Sequence, residues 1–541
     1  MTQDKTAKKL LIIPITAKIQ DTEAPKSLFT KRKIPLRHFL FSVDRLSNNL
    51  NNTIVLLKID RIHDMGWSVL QSMRRCLLSL NSPTNHVIAH IDAGGLKEYY
   101  LASLADEIIL SPMGYLDLIG LQADSFFLKD ALNRAGLDAD FVKTGDYKTY
   151  ADMFIRNSMS DSHRQMLDRI LKSYMEDITE DIASTRSSLK DTIDKIMDDG
   201  PFSAEEAIKH SLVDSLKYSE GLEDYLKEKF SLKKIKKDRL HISDKTKSGW
   251  NIFKRTKEIA LIYATGQITE SEGTGLPKTK ESIAPNPFIK AIRTARNKKS
   301  VKAIVLRVNS PGGSALSSDI LWNELVKARD KKPVVISMSN VAASGGYYIA
   351  MGASSIFIEN MGITGSIGVV VGKIYNKGLL EKLGIGHDSV SSGKMAGFHS
   401  LMSPFTEDQK RKLESQVFDF YYRQFLQKAS EGRNKDYQDM EGLAGGRVWT
   451  GRDAISHGLV DKKGGWLEAV HEAKALANIK DSDKLAYLIL PKKRFSISPA
   501  ALMRNNLPPF SREILDIIAH QSLYVPGAPL YLMPEFLKIK G

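Results

Sequence analysis

The fold of this chain is constrained most by an internal duplication. Two long stretches of the 541-residue sequence carry the same kinds of residue at a nearly constant spacing. An offset of 248 residues places Tyr99-Tyr100-Leu101-Ala102 on Tyr347-Tyr348-Ile349-Ala350, and a similar offset places EAIKHSLVD at 206–214 on DAISHGLVD at 453–461. A repeat of this length predicts two homologous domains, because a chain of this size is too long for one core.

Strand and helix candidates alternate in each copy. Apolar, β-branched runs predict strands, and runs of helical spacing between them predict helices, an alternation typical of an α/β fold. The predicted strands are Leu10–Ile19, Thr53–Asp60 and His86–Ile91 in the first copy, and Ile259–Ile268, Val301–Asn309 and Val334–Met338 in the second.

The sequence predicts four segments along the chain. They are a first repeat at residues 1–215, a basic linker at 216–257, a second repeat at 258–480 and a C-terminal extension at 481–541. Each repeat also contains a helical excursion, at Ser160–Asp199 and at Thr406–Gly432. We expect these excursions to pack on a sheet or on a neighbouring subunit.

Composition limits the classes of function. The chain is 42% hydrophobic and 26% charged, as globular proteins are, and its net charge is +15. Its basic clusters hold few aromatic residues, which favours a solvated linker or a membrane-facing surface over nucleic-acid binding. A single cysteine, Cys76, excludes an internal disulfide and a cysteine-rich metal site. Because we find no apolar run of about 18 residues and no signal-peptide pattern, we expect a chain that is soluble or lies on a surface.

One segment of the second copy carries residues that the first copy lacks. Ser344 follows an apolar run and precedes Gly345-Gly346 and a helix-like stretch. This pattern predicts a hydroxyl held in a tight turn at a helix N-terminus. In the first copy Leu96 takes the place of the serine. Since a feature confined to one copy is a candidate for chemistry, Ser344 is the candidate nucleophile.

The candidate base belongs to the other copy. Lys148, in GDYK at 145–148, falls opposite Ala396, and several of its neighbours in sequence are apolar or aromatic. Serine needs an adjacent base, and lysine can act as one only when burial or a nearby cation lowers its pKa. We expect Ser366, whose counterpart in the first copy is Leu118, to orient the amine. Histidine is the alternative base, with His387 and His399 as its candidates.

Acyl transfer also requires hydrogen-bond donors for an oxyanion. The loop SPGGS at 310–314 follows a predicted strand and opens a predicted helix, whereas the first copy has no paired glycines there. We expect Gly312 and Gly313, together with the N–H group of Gly345, to be these donors.

These motifs together resemble a known family. SPGGS at 310–314, AASGGYYIA at 342–350, TGSIG at 364–368 and GDYK at 145–148 resemble bacterial signal peptide peptidase A, also called protease IV, in its long tandem form. The resemblance implies an α/β fold of two Clp protease/crotonase-like domains built from ββα units. It also implies a ring-like homotetramer that cleaves hydrophobic peptides such as released signal peptides, without a metal or a nucleotide.

The resemblance also implies roles for individual residues. Ser344 would be the nucleophile of a serine endopeptidase, Lys148 its general base and Ser366 the partner of the lysine. Gly312, Gly313 and Gly345 would form the oxyanion hole.

Location and reaction class remain open at this stage. Long members of the family carry an N-terminal membrane anchor, whereas the first predicted strand here begins near Leu10. The family resemblance favours a membrane-associated location, and a cytoplasmic one is the alternative. Two other functions fit the same fold. One is a crotonase-like acyl-CoA enzyme, whose glycine loops hold a thioester oxyanion, and the other is a non-catalytic scaffold at membranes.

Overall fold

The chain divides into two compact units. The computed structural model describes residues 7–22, 33–242, 256–270, 282–491, 528–533 and 538–540. The first unit comprises residues 1–123, 171–245 and 539–541, and the second comprises 124–170 and 246–538. Three elements, Gln122–Asp124, Asp161–Thr185 and Lys538–Lys540, have residues in both.

The first unit is built from short strands and helices. Its strands are Ala7–Ile15, Ile19–Gln20, Ile34–Pro35, Thr53–Ile59, His86–Ile91, Gly94–Gly95, Glu107–Leu110, Tyr115–Asp117, Phe202–Ser203, Ser215–Leu216 and Lys234–Arg239. Its α-helices are Leu36–Ser47, Trp67–Leu78, Leu96–Ala102, Ile193–Asp199, Ala204–Lys209 and Leu222–Lys229.

The second unit has the same kind of elements in greater number. Its strands are Asp138–Lys143, Lys257–Thr265, Gln267–Ile268, Ser282–Ile283, Val301–Ser310, Gly312–Ser314, Val334–Ala343, Ser355–Ile358, Ile363–Gly365, Val370–Tyr375, Val448–Thr450, Lys462–Lys463, Leu485–Leu490 and Leu530–Leu532. Its α-helices are Lys129–Ala135, Asp152–Ile155, Pro285–Asn297, Ala315–Arg329, Gly345–Ala350, Lys377–Lys382, Glu407–Ser415, Arg423–Arg433, Tyr437–Gly442, Gly451–Ser456 and Trp466–Leu476, with a π-helical stretch at Gln416–Tyr422.

The main sheets of the two units have the same strand order, and their corresponding strands all pair in parallel. In the first unit the order is Lys234–Arg239, Ala7–Ile15, Thr53–Ile59, His86–Ile91, Glu107–Leu110 and Ser215–Leu216. In the second the six corresponding strands are, in order, Leu485–Leu490, Lys257–Thr265, Val301–Ser310, Val334–Ala343, Ser355–Ile358 and Lys462–Lys463. This sheet has two further strands: Ile363–Gly365 pairs in parallel with Val334–Ala343, and Val448–Thr450 pairs antiparallel with Ile363–Gly365. The predicted α/β duplication is therefore confirmed.

Equivalent side chains in the two units make equivalent hydrogen bonds. The Tyr99 hydroxyl donates to Leu212 O at 3.0 Å, and the Tyr347 hydroxyl donates to Leu459 O at the same distance. Asp214 and Asp461 likewise each accept a backbone N–H bond from the sheet of their own unit, at 2.7 and 2.8 Å. Residues conserved between the copies thus maintain the frame, as the comparison of the copies predicts.

In each unit, one edge strand of the main sheet lies outside the predicted bounds of its repeat. Lys234–Arg239, which the sequence places in the linker 216–257, pairs in parallel with the strand Ala7–Ile15. Leu485–Leu490, which the sequence places in the extension 481–541, pairs in the same way with Lys257–Thr265. Each parallel sheet therefore extends beyond the predicted end of its repeat.

A second sheet of the second unit carries the functional segments. Its strand order is Asp138–Lys143, Val370–Tyr375, Leu530–Leu532, Gly312–Ser314, Gln267–Ile268 and Ser282–Ile283. The first of these strands pairs antiparallel with Val370–Tyr375. The lysine segment, which by sequence falls within the predicted first repeat, therefore lies in the second compact unit.

Within the part of the chain that the structure describes, no helix is both long enough and apolar enough to cross a bilayer.

Candidate active site

Ser344 occupies a strained turn between a strand and a helix. The strand Val334–Ala343 ends immediately before it, and the helix Gly345–Ala350 begins immediately after it. Its φ of 55° and ψ of −114° are unusual for a residue with a side chain, and its N–H group donates to Gly365 O at 2.7 Å. The serine is fully buried. The predicted strand–turn–helix setting is present.

Gly346 allows this turn to lie close to the preceding loop. A Cβ atom at Gly346 would lie 2.6 Å from the carbonyl oxygen of Ser310. Real Cβ atoms essentially never come that close to backbone, so the second glycine of the ASGG sequence is required by packing.

Lys148 reaches Ser344 and Ser366 together. Its Nζ lies within hydrogen-bond distance of Ser344 Oγ at 2.7 Å, of Ser366 O at 3.0 Å and of Ser366 Oγ at 3.1 Å. Two residues that the sequence singles out, Ser344 and Ser366, are therefore within hydrogen-bond distance of the amine of a third, Lys148.

Burial lowers the pKa of the Lys148 amine well below its ordinary value. The side chain is fully buried, and its hydrogen-bond partners in the described residues are two hydroxyls and a carbonyl rather than a carboxylate. Since no anion compensates the lost hydration, the neutral amine is favoured. A neutral amine can accept a proton from a hydroxyl.

Backbone pairing holds the lysine segment in place. After the strand Asp138–Lys143, Thr144 continues the contact: its N–H donates to Val369 O at 2.9 Å, and its hydroxyl accepts from Val369 N–H at 2.8 Å. Gly145 then turns the chain with a φ of 65°. These contacts place the GDYK turn beside the TGSIG segment.

The sequence reasoning missed Gly446, which packs directly on the lysine. A Cβ atom at Gly446 would lie 2.5 Å from Lys148 N, and Gly446 N–H donates to Ile367 O at 2.9 Å. The same comparison of the two copies could have found it. At the offset of the 206–214 and 453–461 motifs, Gly445-Gly446 falls opposite Asp198-Asp199.

Ser366 is fixed by its backbone as well as by the lysine. Its φ is 53°, and its N–H group donates to Arg447 O at 2.7 Å. The positive φ turns the hydroxyl and the carbonyl of one residue toward the same amine. The TGSIG segment thus supplies two of the three acceptors around Lys148 Nζ.

The three glycines expected to form the oxyanion hole lie together, but they are not equivalent. A Cβ atom at Gly312 would lie 2.7 Å from Gly345 N, which places the two backbones in contact. The N–H group of Gly312 donates to Ser310 Oγ at 3.2 Å, and Gly313 pairs antiparallel with Tyr531. Gly345 is the first residue of its helix, where N–H groups have no intrahelical acceptor.

The histidines considered as alternative bases lie away from this arrangement. His387 and His399 are both exposed, whereas Ser344 is buried and hydrogen-bonded to Lys148. The geometry favours the lysine.

The equivalent place in the first unit is filled by a carboxylate. Glu98, the counterpart of Gly346, accepts N–H bonds from Ile62 at 2.6 Å and from Gly95 at 2.8 Å. Its neighbour Lys97 donates to His63 O. Ile62 is the counterpart of Ser310, so in the first unit a carboxylate binds the loop where in the second unit the backbone of Gly346 packs directly against it.

An apolar pocket lies next to the lysine in the second unit. It is lined mainly by Thr149, Met153, Met166, Leu167, Val448 and Met533. Thr149 directly follows Lys148, and Val448 directly follows Arg447, the residue that accepts the Ser366 N–H bond. An extended chain at the serine could therefore place an apolar side chain in this pocket.

In the ranges that the structure covers, no group of three or more histidine, cysteine or carboxylate side chains could hold a metal ion.

Comparison with known proteins assigns the family. The model of peptidase family S49 matches residues 83–233 and 327–480, two regions that contain Lys148 and Ser344 respectively. The chain belongs to peptidase family S49. It is therefore a serine peptidase, and the α/β fold of Clp protease/crotonase type implied by the resemblance is confirmed by this match together with the repeated sheets.

Several curated relatives resemble most of the chain. It is 32% identical to the chloroplastic serine protease SPPA of Arabidopsis thaliana, over 82% of this chain and 66% of the relative. It is 32% identical to Protease 4 of Salmonella typhi, over 88% of this chain and 80% of the relative. The corresponding values for Protease 4 of Haemophilus influenzae are 28%, 83% and 74%.

A solved structure covers a smaller part of the chain. The 1510-N membrane-bound stomatin-specific protease matches 43% of this chain and 98% of its own, with 15% identity and a TM-score of 0.28. A TM-score this low adds nothing to the family assignment.

Proposed function

We propose that this S49 peptidase uses Ser344 as its nucleophile and Lys148 as its general base. The observation that carries the proposal is the 2.7 Å contact between Lys148 Nζ and Ser344 Oγ in a fully buried setting. Such a distance suits direct proton transfer, and burial favours the form of lysine that can accept a proton. Ser366 is the positioning residue that holds the amine.

The geometry supports a two-step acyl transfer. Ser344 Oγ attacks the carbonyl carbon of a peptide bond while its proton passes to Lys148 Nζ. The resulting oxyanion is stabilised by the N–H group of Gly345, and by that of Gly312 once it leaves Ser310 Oγ. Lys148 then donates its proton to the departing amine. In the second step the same lysine takes a proton from a water molecule as that water attacks the acyl carbon. It then gives the proton to Ser344 Oγ as the ester bond breaks, which releases the carboxylic acid and restores the serine and the neutral amine.

The proposed substrates are hydrophobic peptides such as released signal peptides. Met153, Met166 and Leu167 give the pocket beside Lys148 an apolar wall. Burial of an apolar side chain there contributes binding free energy without a specific polar contact, and flexible methionines adapt to side chains of different shape. Peptides with a bulky apolar residue before the cleaved bond are therefore the expected class.

Activity of two variants tests the assignment of the site. Ser344→Ala and Lys148→Met should each abolish cleavage of a fluorogenic hydrophobic peptide while leaving the circular dichroism spectrum unchanged. The matched controls are Ser188→Ala and Lys190→Met, because both residues are exposed and lie in the first unit. Cleavage by either site variant at the rate of its control would refute the dyad.

The alternative function, that of a crotonase-like acyl-CoA enzyme, leads to a different prediction for the same variants. A crotonase-like enzyme would depend on its oxyanion donors and not on Lys148. Retained thioester turnover in Lys148→Met, with no peptidase activity in the unsubstituted chain, would favour that reading.

The expected homotetramer and membrane-surface binding belong to the same proposal. The segment 383–401 exposes several large apolar side chains, namely those of Leu383, Ile385, Val390, Met395 and Leu401. Such residues are suited to an interface. Light scattering should give four times the chain mass of 60.4 kDa, and co-sedimentation with anionic vesicles tests the membrane surface.

A further inference from the structure

A segment of this chain occupies the strand position between the two walls of the candidate active site. Leu530–Leu532 pairs antiparallel with Gly312–Ser314 on one side, and Leu530 pairs antiparallel with Val370 on the other. Gly312–Ser314 belongs to the loop of the expected oxyanion donors, and the strand Val370–Tyr375 begins four residues after Ser366. A substrate bound as an extended strand would have to use the same edges.

The pairing of this segment with the oxyanion loop continues on both sides. Met533 N–H donates to Pro311 O at 2.9 Å, and Ala315 N–H donates to Pro529 O at 3.2 Å. In an antiparallel ladder with these outer bonds, the Gly313–Tyr531 pair exchanges both backbone bonds between them. The backbone groups that would bind a peptide are therefore already in use.

The side chains of the segment are buried as those of a bound peptide would be. Tyr531 stacks on Tyr348, with ring centroids 4.9 Å apart, and packs against Phe425 at 4.7 Å. Its hydroxyl donates to Tyr421 O at 3.0 Å. Met533, two residues later, lines the apolar pocket beside Lys148 and is 3% exposed.

The segment also lies close to the reacting groups. Leu532 faces Gly312, the glycine whose backbone contacts Gly345 N. The main chain at Leu532 and Met533 therefore passes the place where a scissile carbonyl would meet its hydrogen-bond donors. A second peptide cannot pair with Gly312–Ser314 while Leu530–Leu532 is there.

We propose that residues 528–533 are an intramolecular inhibitor, which must leave this position before a peptide substrate can bind. The proposal rests on the proposed function, since it takes Ser344 and Lys148 as the site that is covered. A peptidase arranged in this way is inactive by default, and its activity depends on the fraction of molecules in which the segment is displaced.

A charged residue in the pocket should displace the segment. We expect Met533→Asp in the full chain to raise kcat/KM for a short hydrophobic peptide about tenfold, as when the competent fraction rises from about one tenth to nearly all. The matched control is Met113→Asp, because Met113 is 86% exposed and should change nothing. Melting temperatures establish that both variants are folded.

The free segment should restore inhibition in trans. The synthetic peptide APLYLM, which corresponds to residues 528–533, should inhibit Met533→Asp competitively, and APLYLD should not. Unchanged activity of folded Met533→Asp, or no inhibition by APLYLM, would overturn the inference. Both outcomes leave the proposed function intact as long as Ser344→Ala is inactive, whereas an active Ser344→Ala would overturn the function itself.

Discussion

Gly446 lies directly against the backbone of Lys148. A Cβ atom on this glycine would be 2.5 Å from the backbone nitrogen of Lys148 and 2.6 Å from its Cα. The φ of Gly446 is also positive, at 84°. The position of the Lys148 amine therefore depends on the absence of a side chain on Gly446, a residue that takes no part in the proposed chemistry.

Gly446→Ala should inactivate the enzyme without unfolding it. The added methyl group must push the lysine segment away from Ser344, and a displacement of about 1 Å can lower a catalytic rate about 100-fold. Steady-state kinetics on a hydrophobic peptide measures the loss. Gly442→Ala is the control, because a Cβ atom there meets nothing within 4 Å. Equal kcat/KM in the two variants would contradict this account of Gly446.

The activity should rise with pH as the Lys148 ammonium loses its proton. Burial lowers the pKa of this amine well below its ordinary value of 10.5, and only the neutral form can accept the Ser344 proton. The ascending limb of kcat/KM against pH should therefore have its midpoint below 10.5. An ascending limb with its midpoint at 10.5, the ordinary value for lysine, would show that the buried amine is not the titrating base.

Ser344→Gly should be more stable than Ser344→Ala. The φ of 55° and ψ of −114° suit glycine, and a residue held in such a region costs on the order of 1–3 kcal/mol. We expect a difference of about 1 kcal/mol in the free energy of unfolding, measured by urea denaturation of two inactive proteins. At Ser389, whose φ is not positive, the alanine variant should be at least as stable as the glycine variant. The reverse order at Ser344 would mean that the turn is unstrained.

Ser366→Ala should lower kcat about fivefold and leave KM unchanged. The hydroxyl contacts Lys148 Nζ at 3.1 Å, and loss of one such hydrogen bond is worth about 1 kcal/mol. The carbonyl of the same residue keeps its own contact at 3.0 Å, so activity should not vanish. Ser366→Gly controls for the backbone, since glycine accepts the φ of 53°. A change in KM alone would assign the serine to substrate binding.

Much of the fold and the candidate site could be predicted because the sequence contains two copies, so that each residue can be compared with its counterpart in the other copy. Apolar runs at His86–Ile91 and at 334–338 fall within strands at corresponding places in two sheets of equal order. Ser344, Lys148 and Ser366 were recognisable because each is missing from the other copy. Their roles stay predictions until the variants are measured.

The remaining strands could not be predicted, because they form through contacts between residues far apart in the chain and a comparison of the two aligned copies does not show such contacts. The edge strands Lys234–Arg239 and Leu485–Leu490 are assigned by sequence to a linker and an extension, and they are held by pairing with residues far away in the chain. Nothing in the apolar sequence of Leu530–Leu532 predicts a strand by itself; the segment is a strand because it pairs with Gly312–Ser314. In both cases tertiary pairing, rather than local preference, decides the structure.

The distance along the chain between Lys148 and Gly446 has a consequence for biosynthesis. A ribosome adds the proposed base Lys148 first, the proposed nucleophile Ser344 196 residues later, and Gly446, which packs on the base, about a hundred residues after that. A nascent chain therefore carries no assembled proteolytic centre during most of its translation. The proposed site can be assembled only after Gly446 has been added, and the proposed inhibitor segment at 528–533 is made later still.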